Sequence, residues 1–367
     1  MSTTTPRRRS SISDVARKAG VSVGTVSNVL NRPDRVSPTT RERVEDAISE
    51  LQFVPNGSAR QLRAGTITTV GAIVLDIGNP FFTEVARGIE DRLAEDDYTL
   101  MLASSDEDPD REARYLKLFE EHGVQGVLVV PSGDDIEPLL ELRARGVNVV
   151  LLDATSPVPD ISSAAVNDVV GGQLAGSHLI AEGHTRIAFI NGVHTIRQCG
   201  DRYAGMLRAF DSAGLDASTD LVEVTAASLN ADGGEAAMTH LLATTTAGVD
   251  RPTAVFCVND LVALGVQRTL RRAGIDMPGE MAVVGYDDVN FAGELAIPLT
   301  SVRQPTHQLG YRAADLLLTE HQQGERFRPE QVQFQPELVV RASSSASAGS
   351  SGSSSGNPSG SSPTSAG

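Results

Sequence analysis

Ile12-Ser-Asp-Val-Ala-Arg-Lys-Ala-Gly-Val-Ser-Val-Gly-Thr-Val-Ser-Asn-Val-Leu-Asn31 carries two helical patterns on either side of Gly20-Val-Ser22. Ser11 with Asp14 three residues on reads as an N-cap. Val15, Ala16 and Ala19 form an apolar stripe, and Gly20 suits the left-handed residue that ends a helix. Ser22 caps the second helix, with Val26, Val29 and Leu30 facing inward. Val23, Gly24, Ser27 and Asn28 are left outward. Two short helices locked by Val15, Ala16, Val21, Val26 and Leu30 make a helix-turn-helix, whose second helix can enter the major groove of DNA. A three-helix unit that docks on another protein would show the same pattern. Downstream, Asn31-Arg-Pro-Asp34 reads as a turn. Ser37-Pro38 opens a third helix to about Gln52, with Val44, Ala47, Ile48 and Leu51 on its apolar face.

The charge around this head bears on its partner. The 367-residue chain has a net charge of −16, which argues against nucleic acid. Residues 1–66 carry eleven Lys/Arg against six Asp/Glu, a net +5, so the remainder carries −21. A basic head on an acidic body brings only the head to a polyanion. Three of those cations, Arg7–Arg9, also fit a solvated tail, so charge alone does not decide. Residues 1–10 read as a disordered basic arm. They hold no apolar segment, so no secretory leader is expected, and no apolar run reaches the length of a transmembrane helix. Cys199 and Cys257 lie apart without a CxxC pattern, which speaks against disulfides and zinc and for a cytoplasmic protein.

Past Thr66 the rhythm changes. Val70–Ile77, Thr99–Ala103, Val124–Val130, Val147–Asp153 and Ala164–Val166 read as strands. Helical stretches fall between them near Phe82–Glu95, Arg111–His122 and Ile136–Arg145. A second series has strands at Arg186–Ile190, Leu221–Val224, Ala254–Val258 and Ala282–Tyr286. Its helices lie near Gly171–Ala181, Asp201–Ala213, Gly234–Leu242 and Leu261–Ala273. Near-continuous Val/Leu/Ile runs indicate parallel strands buried on both faces. Two successive βα series make an α/β body of two doubly wound lobes, whose ligands bind outside the carboxyl ends of the strands. Residues 343–367, nearly all Ser, Gly, Ala, Pro and Thr, cannot bury a core and are expected to be disordered.

An enzyme has little support. Dinucleotide, P-loop and zinc-protease motifs are all missing, and Asp134-Asp135 and Asp287-Asp288 are poorly placed as acid/base couples. No metal or cofactor is expected.

The Ile12–Asn31 stretch, Val36-Ser-Pro-Thr-Thr-Arg-Glu-Arg-Val44 and Leu51-Gln-Phe-Val-Pro-Asn56 resemble the head of the LacI/GalR family of bacterial transcription regulators. The resemblance runs on through the body to about Arg341. It implies a helix-turn-helix domain at 11–54, a hinge helix and linker at 55–66, and a core at 67–342 of the type I periplasmic-binding-protein-like fold. The implied first lobe spans about 67–165 and 302–328, and the second about 166–301 and 329–342.

The resemblance also implies roles. Val23, Gly24 and Asn28 match base-reading positions, where Val23 suits a thymine methyl and Asn28 an adenine. Gly24 stands where a polar side chain is common, which thins the readout. Thr25, Ser27, Asn31 and Arg35 match phosphate contacts. Ser58, Ala59 and Leu62 fall on the hinge helix, with Leu62 at the position of the minor-groove wedge. That segment is too short to be helical alone and is expected to order against DNA and its twin. A homodimer on a palindromic operator follows, and the lack of leucine after Leu338 argues against a C-terminal tetramerising heptad. In the core, Phe81, Phe82, Asp153, Arg202, Leu229, Asn259, Asp287 and Gln304 match effector positions, whereas Ile196 and Gln198 fall in a stretch that varies across the family. Carboxylates, amides and a guanidinium suit the hydroxyls of a sugar, and Leu229 in place of an aromatic disfavours a stacked purine. The implied function is a repressor switched by a small molecule. The alternatives are control by a protein coregulator and a ligand-binding protein without DNA function.

Overall fold

The computed structural model describes residues 10–53 and 68–345. The chain divides into two units at Thr68.

The head contains α1 (Ile12–Ala19), α2 (Val23–Asn31) and α3 (Pro38–Glu50). Ser11 and Asp14 form a reciprocal capping box, and Gly20 ends α1 at φ 65°. Ser22 caps α2 through the Thr25 backbone N–H. Val15, Ala16, Ala19, Val26, Val29, Val44 and Ala47 form the core. Arg43 ties α3 to the turn by donating to the Ala19 carbonyl at 2.6 Å. Ser10 is anchored too, its hydroxyl donating to the Leu51 carbonyl at 3.0 Å.

The body has two six-stranded sheets. The first contains β1 (Thr69–Val74), β2 (Thr99–Ser104), β3 (Gly126–Val129), β4 (Asn148–Leu152), β5 (Ser162–Val166) and β11 (Gln331–Phe334), in the order β11-β5-β4-β3-β1-β2. The second contains β6 (Ile187–Asn191), β7 (Leu221–Thr225), β8 (Ala254–Cys257), β9 (Ala282–Asp287), β10 (Thr300–Arg303) and β12 (Glu337–Val339), in the order β12-β10-β9-β8-β6-β7. All pairs are parallel except β10–β12. Around the first lobe lie α4 (Pro80–Ala94), α5 (Pro109–His122) and α6 (Glu137–Ala144). The second lobe has α7 (Asp168–Ala181), α8 (Arg197–Ala213), the single turn α9 (Ala217–Asp220), α10 (Ala231–Thr244) and α11 (Asp260–Ala273). The chain then returns to the first lobe as α12 (Thr306–Gln323), which packs on α4 and on β3, β4 and β5.

In each sheet the strand order reverses beside the first strand, between β1 and β3 and between β6 and β8. Such switch points are where open α/β sheets bind ligands. The chain passes between the lobes three times, after β5, after β10 and between β11 and β12. Two crossings are tied together where the Asn167 N–H donates to the Phe334 carbonyl at 2.9 Å.

Three sequence boundaries need correction. Residues 331–334 lie in the first sheet, paired with β5, although 329–342 read as second lobe. Val302 and Arg303 belong to β10 of the second sheet, although the first lobe was expected to resume at 302. Short, half-polar strands such as Gln331–Phe334 carry no strong pattern, and the partner strand decides their sheet. The expected tail also begins too early. Ser343 receives the Thr300 N–H on its hydroxyl at 2.8 Å and donates that hydroxyl to the Val283 carbonyl at 2.6 Å. Its carbonyl accepts the Val283 N–H at 2.8 Å. Ser344 and Ser345 are buried beside it. Serine is a poor core residue by composition, but its hydroxyl satisfies buried backbone groups at a strand edge. The helix α12 and strands β10, β11 and β12 were not assigned from sequence. Among the described residues, no helix is long and apolar enough to cross a membrane.

Candidate functional site

In the head, α2 turns Val26 and Val29 into the core and leaves Val23, Gly24 and Asn28 exposed. Val23 is 43% exposed. Thr25 and Ser27 are half-buried, and the Thr25 hydroxyl lies 2.9 Å from that of the capping Ser22. Arg35 is exposed on the turn after α2, and Asn31 is its last helical residue. An exposed helix N-terminus with small side chains allows close approach of a groove and leaves its backbone N–H dipoles available to phosphate. Ser58, Ala59 and Leu62 lie outside the described residues.

In the body, a cleft of about 450 Å³, counting its open mouth, runs between the carboxyl ends of the two sheets. Phe81, Phe82, Asp153, Arg202, Leu229, Asn259 and Asp287 all line it. Gln304 stands behind, donating to Asp287 at 2.8 Å. Sequence reasoning left out Asp76, Asn79, Glu107 and Cys199, and set aside Ile196 and Gln198, yet these line the cleft as well. Asn79 carried a legible signal, because it caps α4 through the Phe81 N–H at 3.0 Å at the end of β1. Glu107 had none, because only the loop after β2 carries it there.

Hydrogen bonds cross the cleft. Asn79 of the first lobe donates to Asp287 of the second at 3.2 Å. Gln198 of the second donates to Asp153 of the first, at 2.6 Å to the backbone carbonyl and 3.0 Å to the carboxylate. Glu107 of the first lobe faces the Leu229 N–H of the second, which favours its charged form against burial. The lobes are therefore held closed on each other.

Arg202 sits at the floor. Its Nε donates to Asp168 at 2.8 Å and its Nη1 to the Val258 carbonyl at 2.6 Å. The guanidinium carbon stacks 3.6 Å from the centre of the Tyr286 ring. Both partners of the Arg202–Asp168 pair are buried. Burial opposes the charge on Arg202, but Asp168, Tyr286, Asp287 and Asp153 outweigh it and hold its pKa above the ordinary value. The close crossing of α7 and α8 makes the pair possible. A Cβ on Gly172 would lie 2.1 Å from the Arg202 carbonyl oxygen, and one on Gly205 2.2 Å from that of Val169. Only glycine admits this approach.

The acids of the cleft are perturbed. Burial pushes Asp287 up to about 6, against the pull of Arg202, Asn79 and Gln304. Burial and then the neighbouring Asp168 push Asp153 well above its ordinary value. Burial also raises Glu107, and pushes the Cys199 thiol up to about 11. Asp153 and Asp287 adopt positive φ, 53° and 102°. Such backbone is strained for a residue with a side chain and collects at binding sites. Asp260 lies buried and accepts from Ser301 at 2.7 Å and the Val289 N–H at 2.9 Å. The cap of α11 is Asn259, whose side chain accepts the Val262 N–H at 2.8 Å and donates to the Leu229 carbonyl at 2.8 Å. Arg303 and Arg341 clamp Asp288 at 2.7 and 2.6 Å.

Comparison with known proteins agrees with both halves. Residues 11–56 match the model for bacterial regulatory proteins of the lacI family, and residues 177–344 match a periplasmic binding protein-like domain. The chain is 35% identical over 337 residues to the HTH-type transcriptional repressor PurR of Mannheimia succiniciproducens, covering 90% of this chain and 98% of the relative. A transcriptional regulator CelR–cellobiose complex aligns with a TM-score of 0.67 at 32% identity, over 91% of this chain and 100% of the other. The lac repressor dimer bound to operator and the anti-inducer ONPF aligns with a TM-score of 0.72 at 26% identity, over 92% and 99%.

Proposed function

The chain belongs to the lacI family of bacterial regulatory proteins, and on that footing we propose that it is a repressor released from or driven onto its operator by a sugar or sugar derivative. It is a DNA-binding transcription regulator controlled by a small-molecule effector. The observation that carries the effector reading is the closed cleft, bridged by side chains from both lobes at strand carboxyl ends.

Val23, Gly24 and Asn28 read base edges, and Thr25, Ser27, Asn31 and Arg35 hold phosphates. Ser58, Ala59 and Leu62, outside the described residues, contact the minor groove. Phe81, Phe82, Asp153, Arg202, Leu229, Asn259 and Asp287 hold the effector, with Gln304 positioning Asp287. The protein works as a homodimer in the cytoplasm and is not an enzyme. A ligand that binds the closed and open lobes unequally shifts the population between them, and only that difference changes operator affinity.

The test is selection of fragmented genomic DNA by the purified protein, with and without candidate sugars. One enriched palindrome whose binding changes on addition of a sugar is the expected outcome. No enriched palindrome at low salt, where phosphate contacts are retained, would sink the DNA reading. Replacing Asn28 by Ala should cost about 1–3 kcal/mol at one base pair of each half-site.

A further inference from the structure

Residues 10–53 carry six Lys/Arg against six Asp/Glu, so the described head has no net charge. Two of these cations pair with acids, Arg17 with Asp14 at 3.1 Å and Lys18 with Glu50. Two more, both from α3, are turned onto backbone carbonyls. Arg43 donates its Nη2 to the carbonyls of Ala19 at 2.6 Å and Gly20 at 3.4 Å. Arg41 donates its Nη2 to the Pro33 carbonyl at 2.5 Å, and its Nε is buried. Arg32 and Arg35 remain as exposed cations beside α2.

The carbonyls they hold lie at opposite ends of α2. Ala19 and Gly20 close α1 just before Ser22, the cap of α2. Pro33 opens the 3-10 turn Pro33–Arg35 that follows α2. Carbonyls at a helix C-terminus lack helical partners, and a nearby guanidinium satisfies them. Helix α3 thus grips both turns that bracket α2, beyond the apolar contacts of Val26 and Val29 in the core. Apolar contacts are non-directional and fix the tilt of a short helix only weakly. The nine residues of α2 span about 13 Å, so a tilt of about 10° at one end moves the other by about 2 Å. That displacement breaks a hydrogen bond to a base edge.

We propose that Arg41 and Arg43 are positioning residues, which fix the angle at which α2 enters the major groove and hold no phosphate. The inference rests on the reading of α2 as the base-reading helix. A cation committed to a carbonyl within the head is not spent on DNA. Its removal therefore costs sequence discrimination and not the general attraction to a polyanion.

Fluorescence anisotropy of the full chain tests this, on the palindrome recovered by genomic selection and on a scrambled duplex of the same length, from about 50 to 200 mM salt. Arg41→Met and Arg43→Met should each weaken binding to the palindrome by about tenfold, the worth of one base contact, and to the scrambled duplex by less than about twofold. The slope of log affinity against log salt on the palindrome should stay that of the natural protein. A lost phosphate contact would lower that slope by about two in a dimer and weaken both duplexes alike, and this result overturns the proposal. Unchanged affinity for the palindrome overturns it as well. Hydrogen exchange of the same variants separates aim from folding. Protection should fall at the two turns and persist in α1 and α3; its loss throughout the head overturns the proposal, because the arginines then hold the fold itself. A natural protein that prefers no palindrome would sink the DNA reading of the head, and this proposal with it.

Discussion

The side-chain amide of Gln198 reaches across the cleft to Asp153, donating 2.6 Å to its carbonyl and 3.0 Å to its carboxylate. One residue from α8 thus holds the end of β4 in the opposite lobe, at a backbone with φ 53°. Replacing Gln198 by Leu keeps much of the volume but leaves a buried carbonyl unmet, a loss of about 1–3 kcal/mol from the closed form. The free variant should show a larger radius of gyration by X-ray scattering, and effector affinity should fall by about tenfold. Unchanged values for both would mean that this bond does not hold the lobes together.

Arg202 and Asp168 form a buried pair, and their energetics are asymmetric. Arg202→Met strands a buried carboxylate and should destabilise the body by about 3–5 kcal/mol in urea. Adding Asp168→Leu should recover much of that loss, because it removes the stranded charge. If the single variant is as stable as the natural protein, solvent reaches Asp168 and the pair is not isolated.

Asp287 gives a pH signature. Its folded pKa is raised to about 6, above the ordinary 3.8. Below about pH 4 both states are protonated and the shift costs nothing. As pH rises towards 6 the unfolded chain releases its proton first, so stability is lost across that window, by about 3 kcal/mol in the limit. Asp287→Asn removes this dependence. The difference in melting temperature between the variant and the natural protein should therefore move in the variant's favour from pH 4 to pH 6.5, then level off. A flat difference would place the Asp287 titration outside that window.

The described body runs into the serine-rich sequence as far as Ser345. Truncation after Ser345 should leave the melting temperature unchanged. Truncation before Ser343 removes the partners of the Thr300 and Val283 N–H groups and should lower it by several degrees. Equal stability of the two truncations would show that Ser343 adds nothing to the sheet.

Local chemistry determined much of this protein from sequence alone. Ser11, Gly20 and Ser22 placed the helix ends, because caps and left-handed turns depend on residues within four of one another. Val70–Val74 and its counterparts declared buried parallel strands, because a strand covered on both faces must be apolar throughout. Position within βα units brought Phe82, Asp153, Asn259 and Asp287 to strand ends facing one cleft. Tertiary structure alone decided the rest. Glu107, Gln198 and Asp76 meet across the cleft from separate loops and helices, and nothing within a few residues of each announces it. Gln331–Phe334 joined the first sheet and Ser343 the second because open strand edges awaited their hydrogen bonds, a demand created far away in the chain. Arg202, legible as a donor for a ligand, proved to be engaged by Asp168, since only the glycine-lined crossing of α7 and α8 brings those two charges together.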